Sequence, residues 1–227
     1  MSLQQHHTHH VATTHMEVAY RAFLAEINDG AAAGPCSPVE YVRTIIPDDF
    51  APDEHMDAGW PISVGSAMTQ GYTNEVVSAI RTNDVATLRQ MLERGQSFNV
   101  CNSNGEYLIH LACRRSQPET VEFLIKEACV RADVRDRMGR TILHDVCWKS
   151  TPDVDMMATV LQLAPPELLL AKDMRGHTPF DFARKQHSQQ WNEFLFQNRD
   201  LIQERLFALH FNKWLEAEDD DSMEFAE

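Results

Sequence analysis

The stretch MGRTILHDVCWKS, residues 138–150, holds His144, Asp145 and Cys147 within four positions. These side chains do chemistry when they converge. A histidine can activate a cysteine thiolate as nucleophile while an acid orients the imidazole, and the same groups can ligate a transition metal. A second His-x-x-Cys pair, His110 and Cys113, lies upstream. Whether either pair is a site depends on what places it there.

The stretch recurs. NGEYLIHLACRR (104–115), MGRTILHDVCWK (138–149) and RGHTPFDFARKQ (175–186) align so that Gly105, Gly139 and Gly176 fall at spacings of 34 and 37. Asn102, Asp136 and Asp173 precede the glycines by three. Tyr107, Thr141 and Thr178 follow them by two. His110, His144 and Asp181 form one column; Ala112, Val146 and Ala183 form another. An Asx residue opens a tight turn, glycine accepts a positive φ, and a hydroxyl caps a short helix whose first turn tolerates proline. A second helix follows each block, over 118–128, 152–164 and 187–196. Upstream, 74–100 reads as another helix–turn–helix with its turn at Asn83-Asp84. Downstream, NRDLIQERLFALHFNKWLE reads as a longer amphipathic helix with Leu201, Leu206, Leu209 and Trp214 as its buried stripe.

A period near 33 with G-x-T-P-L-H-x-A and a second helix resembles the ankyrin repeat family. ERGQSFNVCNSNGEYLIHLAC and GHTPFDFA carry the likeness, which covers roughly 73–200, about four units. The third unit is long, with APPELLLAKD in place of the usual glycine turn, and Asp181 replaces histidine in the last. The resemblance implies an all-α solenoid of helix–turn–helix units with short hairpin turns, closed by a C-terminal helix. It also implies a structural histidine that bonds to its turn and to the neighbouring unit.

On this reading the His/Cys pairs are two copies of one packing position. A free cysteine behaves as a small hydrophobe in such a seam. Stacked helices lie about 8–10 Å apart, whereas zinc ligands sit about 2.0–2.3 Å from one ion. One metal therefore does not easily collect both pairs, and no motif supplies an oxyanion site. The rival reading, a metal- or thiol-dependent protein using these columns, predicts a reactive thiol and stoichiometric metal.

Of the 227 residues 43% are hydrophobic, and the net charge is −14. Residues 1–70 carry nine acids against Arg21 and Arg43, and 196–227 nine acids against Arg199, Arg205 and Lys213. The stretch 71–195 is nearly balanced, with sixteen acids and fifteen bases. The charge thus sits in the flanks, which argues against a nucleic-acid partner. No apolar run spans a bilayer. The N-terminus lacks the order of a signal peptide, and the five cysteines show no paired spacing. A cytoplasmic or nuclear protein with reduced thiols is expected. His6, His7, His9, His10 and His15 form an imidazole cluster that implies no fixed metal geometry; no cofactor is expected.

Four regions follow: a largely irregular or disordered 1–72 with short helices, one of them in MEVAYRAFLAEIND; a repeat domain over 73–200; a capping helix over 201–215; and a disordered acidic tail over 216–227. RADVRDRMGR places Arg131, Arg135, Arg137 and Arg140 around one turn, and Lys172 and Arg175 lie at the next. In ankyrin arrays such turns project as fingers beside a concave face where partners bind. The expected partner-binding residues are Arg114, Arg115, Arg135, Arg137, Arg140, Trp148, Lys172 and Arg175, arginine and tryptophan being frequent hot-spot types. The expected function is non-enzymatic protein–protein recognition, as an adaptor or scaffold, by a monomer. On this reading the acidic tail, with Met223 and Phe225 among its carboxylates, would fold back onto the arginine fingers and compete with a partner; a third reading makes the protein an acidic regulator whose flanks carry the function and whose repeats only present them.

Overall fold

The computed structural model describes residues 37–46, 50 and 69–224, the side chains of 212–224 excepted. The expected helix in 16–29, the histidine cluster and the last three residues lie outside it.

Four units stack in chain order. The first pairs α2 (Asn74–Arg81) with α3 (Val85–Glu93). Thr73 caps α2, Asp84 caps α3, and Asn83 between them adopts φ +55°. The second pairs α4 (Leu108–Arg114) with α5 (Pro118–Glu122), which continues as a π-helix over Phe123–Glu127. That wider turn accompanies full burial of Phe123 and Leu124, with Phe123 edge-on to Phe98 at 5.4 Å. The third pairs α6 (Ile142–Cys147) with α7 (Val154–Leu163), which Asp153 caps. APPELLLAKD then folds as a 3-10 helix (Pro166–Leu170) that buries three leucines in place of a glycine turn.

The fourth unit departs from the expected helix pair. Its first element is two 3-10 turns, Pro179–Phe182 and Lys185–His187, because Ala183 and Arg184 between them are extended, with ψ 136° and 131°. Its second is α8 (Ser188–Gln197). Among the described residues the only extended pairing is one bridge, Cys101 to Tyr107. The α4, α6 and Pro179–Phe182 elements pack in one row; α5 and α7 pack in a second. Each apolar face is thus covered by the neighbouring unit, as in a solenoid.

Two elements close the C-terminal end. The final helix, α9, runs over Arg199–Glu224. The spacing predicts its end at 215 and a disordered 216–227; the helix instead runs to Glu224. Among its described side chains Ile202, Gln203 and Leu206 are buried; Leu206 is one of the expected stripe, Leu201 and Leu209 are half-buried, and the Trp214 side chain lies outside the described residues. The second closing element is α1 (Pro38–Ile45), inside the stretch read as largely irregular. Ser37 and Glu40 form its capping box, and Val42, Ile45 and Ile46 are buried. It packs on α8, and also on α9 and on the 3-10 elements Pro166–Leu170 and Pro179–Phe182, so this N-terminal helix covers the far end of the array.

Candidate partner-binding face

Three finger turns repeat one hydrogen-bond scheme. The side-chain oxygen of Asn102 accepts from the Asn104 and Glu106 amides at 2.8 and 3.1 Å. Asp136 accepts from Met138 and Arg140 at 2.8 and 2.9 Å, and Asp173 from Arg175 and His177 at 2.8 and 2.9 Å. Gly105, Gly139 and Gly176 take φ of +72° to +78°. A Cβ on Gly105 would also stand 3.2 Å from the Arg137 amide nitrogen, so this turn needs glycine for space as well as for conformation.

Adjacent fingers are tied. The Arg137 amide donates to the Asn104 carbonyl at 3.2 Å, and the Met174 amide to the Met138 carbonyl at 2.9 Å. Arg135 Nη1 donates to the Gly139 carbonyl at 3.0 Å and to the Lys172 carbonyl at 2.8 Å. The histidine column adds a third tie. His110 Nε2 lies 3.1 Å from the Arg140 carbonyl and His144 Nε2 3.0 Å from that of His177. The Thr141 amide donates to His144 Nδ1 at 3.0 Å. Since a carbonyl only accepts, the proton is on Nε2 and the ring is neutral. Burial lowers the His144 pKa to about 4.

These ties sort the eight candidate residues. Arg114, Arg135 and Arg140 are bound within the fold. Arg114 Nη1 lies 2.9 Å from Glu106 and 3.1 Å from Asp145, joining two units. Arg140 grips Asp136 through Nε and Nη2 at 2.8 and 2.5 Å. Burial raises the Asp145 carboxyl above its ordinary range even with Arg114 beside it. The exposed set is Arg115, Arg137, Lys172, Arg175 and Trp148.

Trp148 is 60% exposed and lies on Phe182 at 5.1 Å between ring centroids. Phe182 also meets the rings of His144 at 5.6 Å and His177 at 5.7 Å. Met138 and Met174, at adjoining finger tips, are 38% and 58% exposed. Met138, Met174 and Phe182 lie on this face in addition to the residues expected from the sequence. The available signal was the change of type within the columns, methionine standing where the other fingers have Ser103, Arg137, Asn104 or Arg175.

The His/Cys columns converge on no reactive geometry. Cys113 and Cys147 are buried in the seam, and desolvation pushes both thiols far up. Among the described residues no three His, Cys, Asp or Glu side chains are grouped to hold a metal. No described helix is long and apolar enough to cross a membrane.

Comparison with known proteins agrees with the architecture. Residues 76–163 match the model of ankyrin repeats, in three copies. A putative glutaminase 2 of Caenorhabditis elegans is 29% identical over 70 residues, 31% of this chain and 12% of that protein. A probable serine/threonine-protein kinase of Dictyostelium discoideum is 28% identical over 69 residues, 30% of this chain and 7% of that protein. The likeness spans only a small part of either relative. Repeats of this family generally mediate protein–protein interaction. The helix pairs stacked over residues 76–163 are ankyrin repeats.

Proposed function

We propose that the protein is a non-enzymatic recognition module, an adaptor or scaffold, that binds a protein partner on the face formed by the Met138 and Met174 fingers and the Trp148 position. The observation that carries this reading is the exposed Trp148–Phe182 pair beside fingers held rigid by backbone hydrogen bonds. An exposed tryptophan on a fixed scaffold is a frequent anchor of protein interfaces, and a surface already ordered loses little entropy on binding.

A paired capture tests it. The native chain and a Trp148→Ser, Arg137→Glu, Arg175→Glu variant are used as baits in the same lysate, with folding checked by circular dichroism. A protein held by the native bait and lost by the variant is the expected result. Identical capture by both removes this face as the site. Arg135 is left intact because it ties one finger to the next.

A further inference from the structure

Fingers two and three (131–140 and 172–178) carry six bases, Arg131, Arg135, Arg137, Arg140, Lys172 and Arg175, against three acids, and the acids are the less exposed. Asp136 and Asp173 are buried, each accepting two amides of its own turn. Asp133 is held by Arg131 through both carboxylate oxygens at 2.9 and 2.7 Å. Asp181, just past the third finger, is exposed and keeps its charge while accepting from the Thr178 amide and hydroxyl at 2.7 and 2.8 Å. The cations Arg137, Lys172 and Arg175 remain exposed. The outward charge of fingers two and three is therefore positive, although the chain as a whole is at −14.

The apolar groups belong to the same surface. Met174 is bonded through its amide to Met138, His177 pairs with Asp173 across the third finger, and the His177 ring meets Phe182, which carries Trp148. A chain of contacts thus links the two finger-tip methionines to the exposed Trp148, and the same two fingers carry the three exposed cations.

We propose that this surface takes an acidic polypeptide segment bearing a large apolar side chain, the apolar group resting on Trp148 and Phe182 and the carboxylates on Arg137, Lys172 and Arg175. The proposal rests on the reading of this face as a partner site and specifies the chemistry of the partner. Charge complementarity selects an anion, and forked guanidinium donors suit carboxylates. The two exposed methionines add aliphatic area that suits an apolar side chain better than a stacked base, and the RNA arm of the test separates a polypeptide from a nucleic acid that stacks on Trp148.

The test uses the full chain and three fluorescein-labelled peptides. The first sets Asp and Glu around one Phe and one Leu. The second replaces its acids by Asn and Gln. The third replaces Phe and Leu by Ser. Anisotropy gives affinity, and quenching of tryptophan emission that disappears in Trp148→Phe places the peptide. The first peptide should bind, more weakly as salt rises, and better than either control. Arg137→Glu with Arg175→Glu, and separately Trp148→Ser, should each weaken it about tenfold. The proposal is overturned if the first peptide fails to bind at millimolar concentration, or if the neutral peptide binds as well. Unchanged affinity in the variants overturns it too, as does binding of a single-stranded RNA oligonucleotide in place of the peptide. If the peptides fail while the paired capture still loses a protein from the variant bait, the partner face stands and only the partner chemistry is wrong. If the capture also shows no difference, the face itself is wrong.

Discussion

His144 holds the next finger by its backbone: Nε2 stands 3.0 Å from the His177 carbonyl while Nδ1 accepts from Thr141. The two ring nitrogens therefore do two jobs, one within the unit and one between units. Its equivalents do one each. His110 reaches the Arg140 carbonyl, but Tyr107 stands where Thr141 does, and His110 Nδ1 has no hydrogen bond among the described residues. Asp181 caps Thr178 but makes no such contact to a following finger, and no further finger follows it in the described chain. Histidine gives way to aspartate where only the capping half of the work remains.

Acid should loosen the array at this joint. The His144 pKa is lowered to about 4, below the ordinary 6.5, so the unfolded chain binds the proton more readily. The contribution is fully present above the unfolded value and is lost as pH falls from about 6.5 to 4, by up to roughly 3 kcal/mol. Denaturant unfolding at pH 7 and pH 5 should show the native chain losing more stability on acidification than His144→Gln. Asp136, Asp173 and Arg135 also face the ring and remain in both proteins, so the difference between the two reports His144. Equal losses would assign the acid response to other groups.

The columns that made the fold readable were those in which one residue type solves one local problem. Asx, glycine and the histidine or aspartate column were legible because each turn must satisfy the same amides. The exposed face was less legible. An arginine in the finger looks the same in sequence whether it binds Asp136, as Arg140 does, or faces water, as Arg137 does. The difference depends on reach across units, which no local pattern encodes. For the same reason α1 could be suspected as a short helix from Ser37-Pro38 and Glu40, but not its place against α8, some 140 residues away in the chain. The run of α9 beyond 215 was missed because a charged segment has no apolar period to mark it as helix.

Thiol reactivity should follow burial and not the His-x-x-Cys spacing. In a Cys36→Ser background, which removes the one cysteine outside the described residues, Cys129 is exposed and should react with a disulfide reagent at once. Cys101, Cys113 and Cys147 should react only as fast as the array opens, since burial raises all three thiols. Peptide mapping after timed labelling identifies each site. Rapid modification of Cys113 or Cys147 in the folded chain would revive the thiol-dependent reading.

The helix α1 should stabilise the end of the array farthest from it in sequence. Ile45 is fully buried, and Ile45→Ala should cost about 2–5 kcal/mol if the site relaxes little. Hydrogen exchange then distinguishes a local from a global effect. Amides in α8 should exchange faster, while those in α2 and α3, at the other end, should change least, because units in a solenoid couple mainly to neighbours. Uniform acceleration along the chain would mean that the array unfolds as one unit.

Arg114 was a candidate for partner contact and is better understood as a joint between units two and three. It lies 3.1 Å from Asp145, whose side chain is 5% exposed, and 2.9 Å from Glu106. Arg114→Met leaves the Asp145 carboxylate buried without its cation, which should cost about 2 kcal/mol; a fully buried pair would cost more, but a third of Arg114 is in solvent. Asp145→Leu in the same chain removes the stranded charge and should recover much of that loss, since a buried pair exchanged for apolar groups is often neutral. The double-mutant cycle should therefore show coupling well above the few tenths of a kcal/mol seen for independent sites. A partner-contact role predicts the opposite pattern: Arg114→Met leaves stability nearly unchanged and weakens capture, and Asp145→Leu does not rescue it.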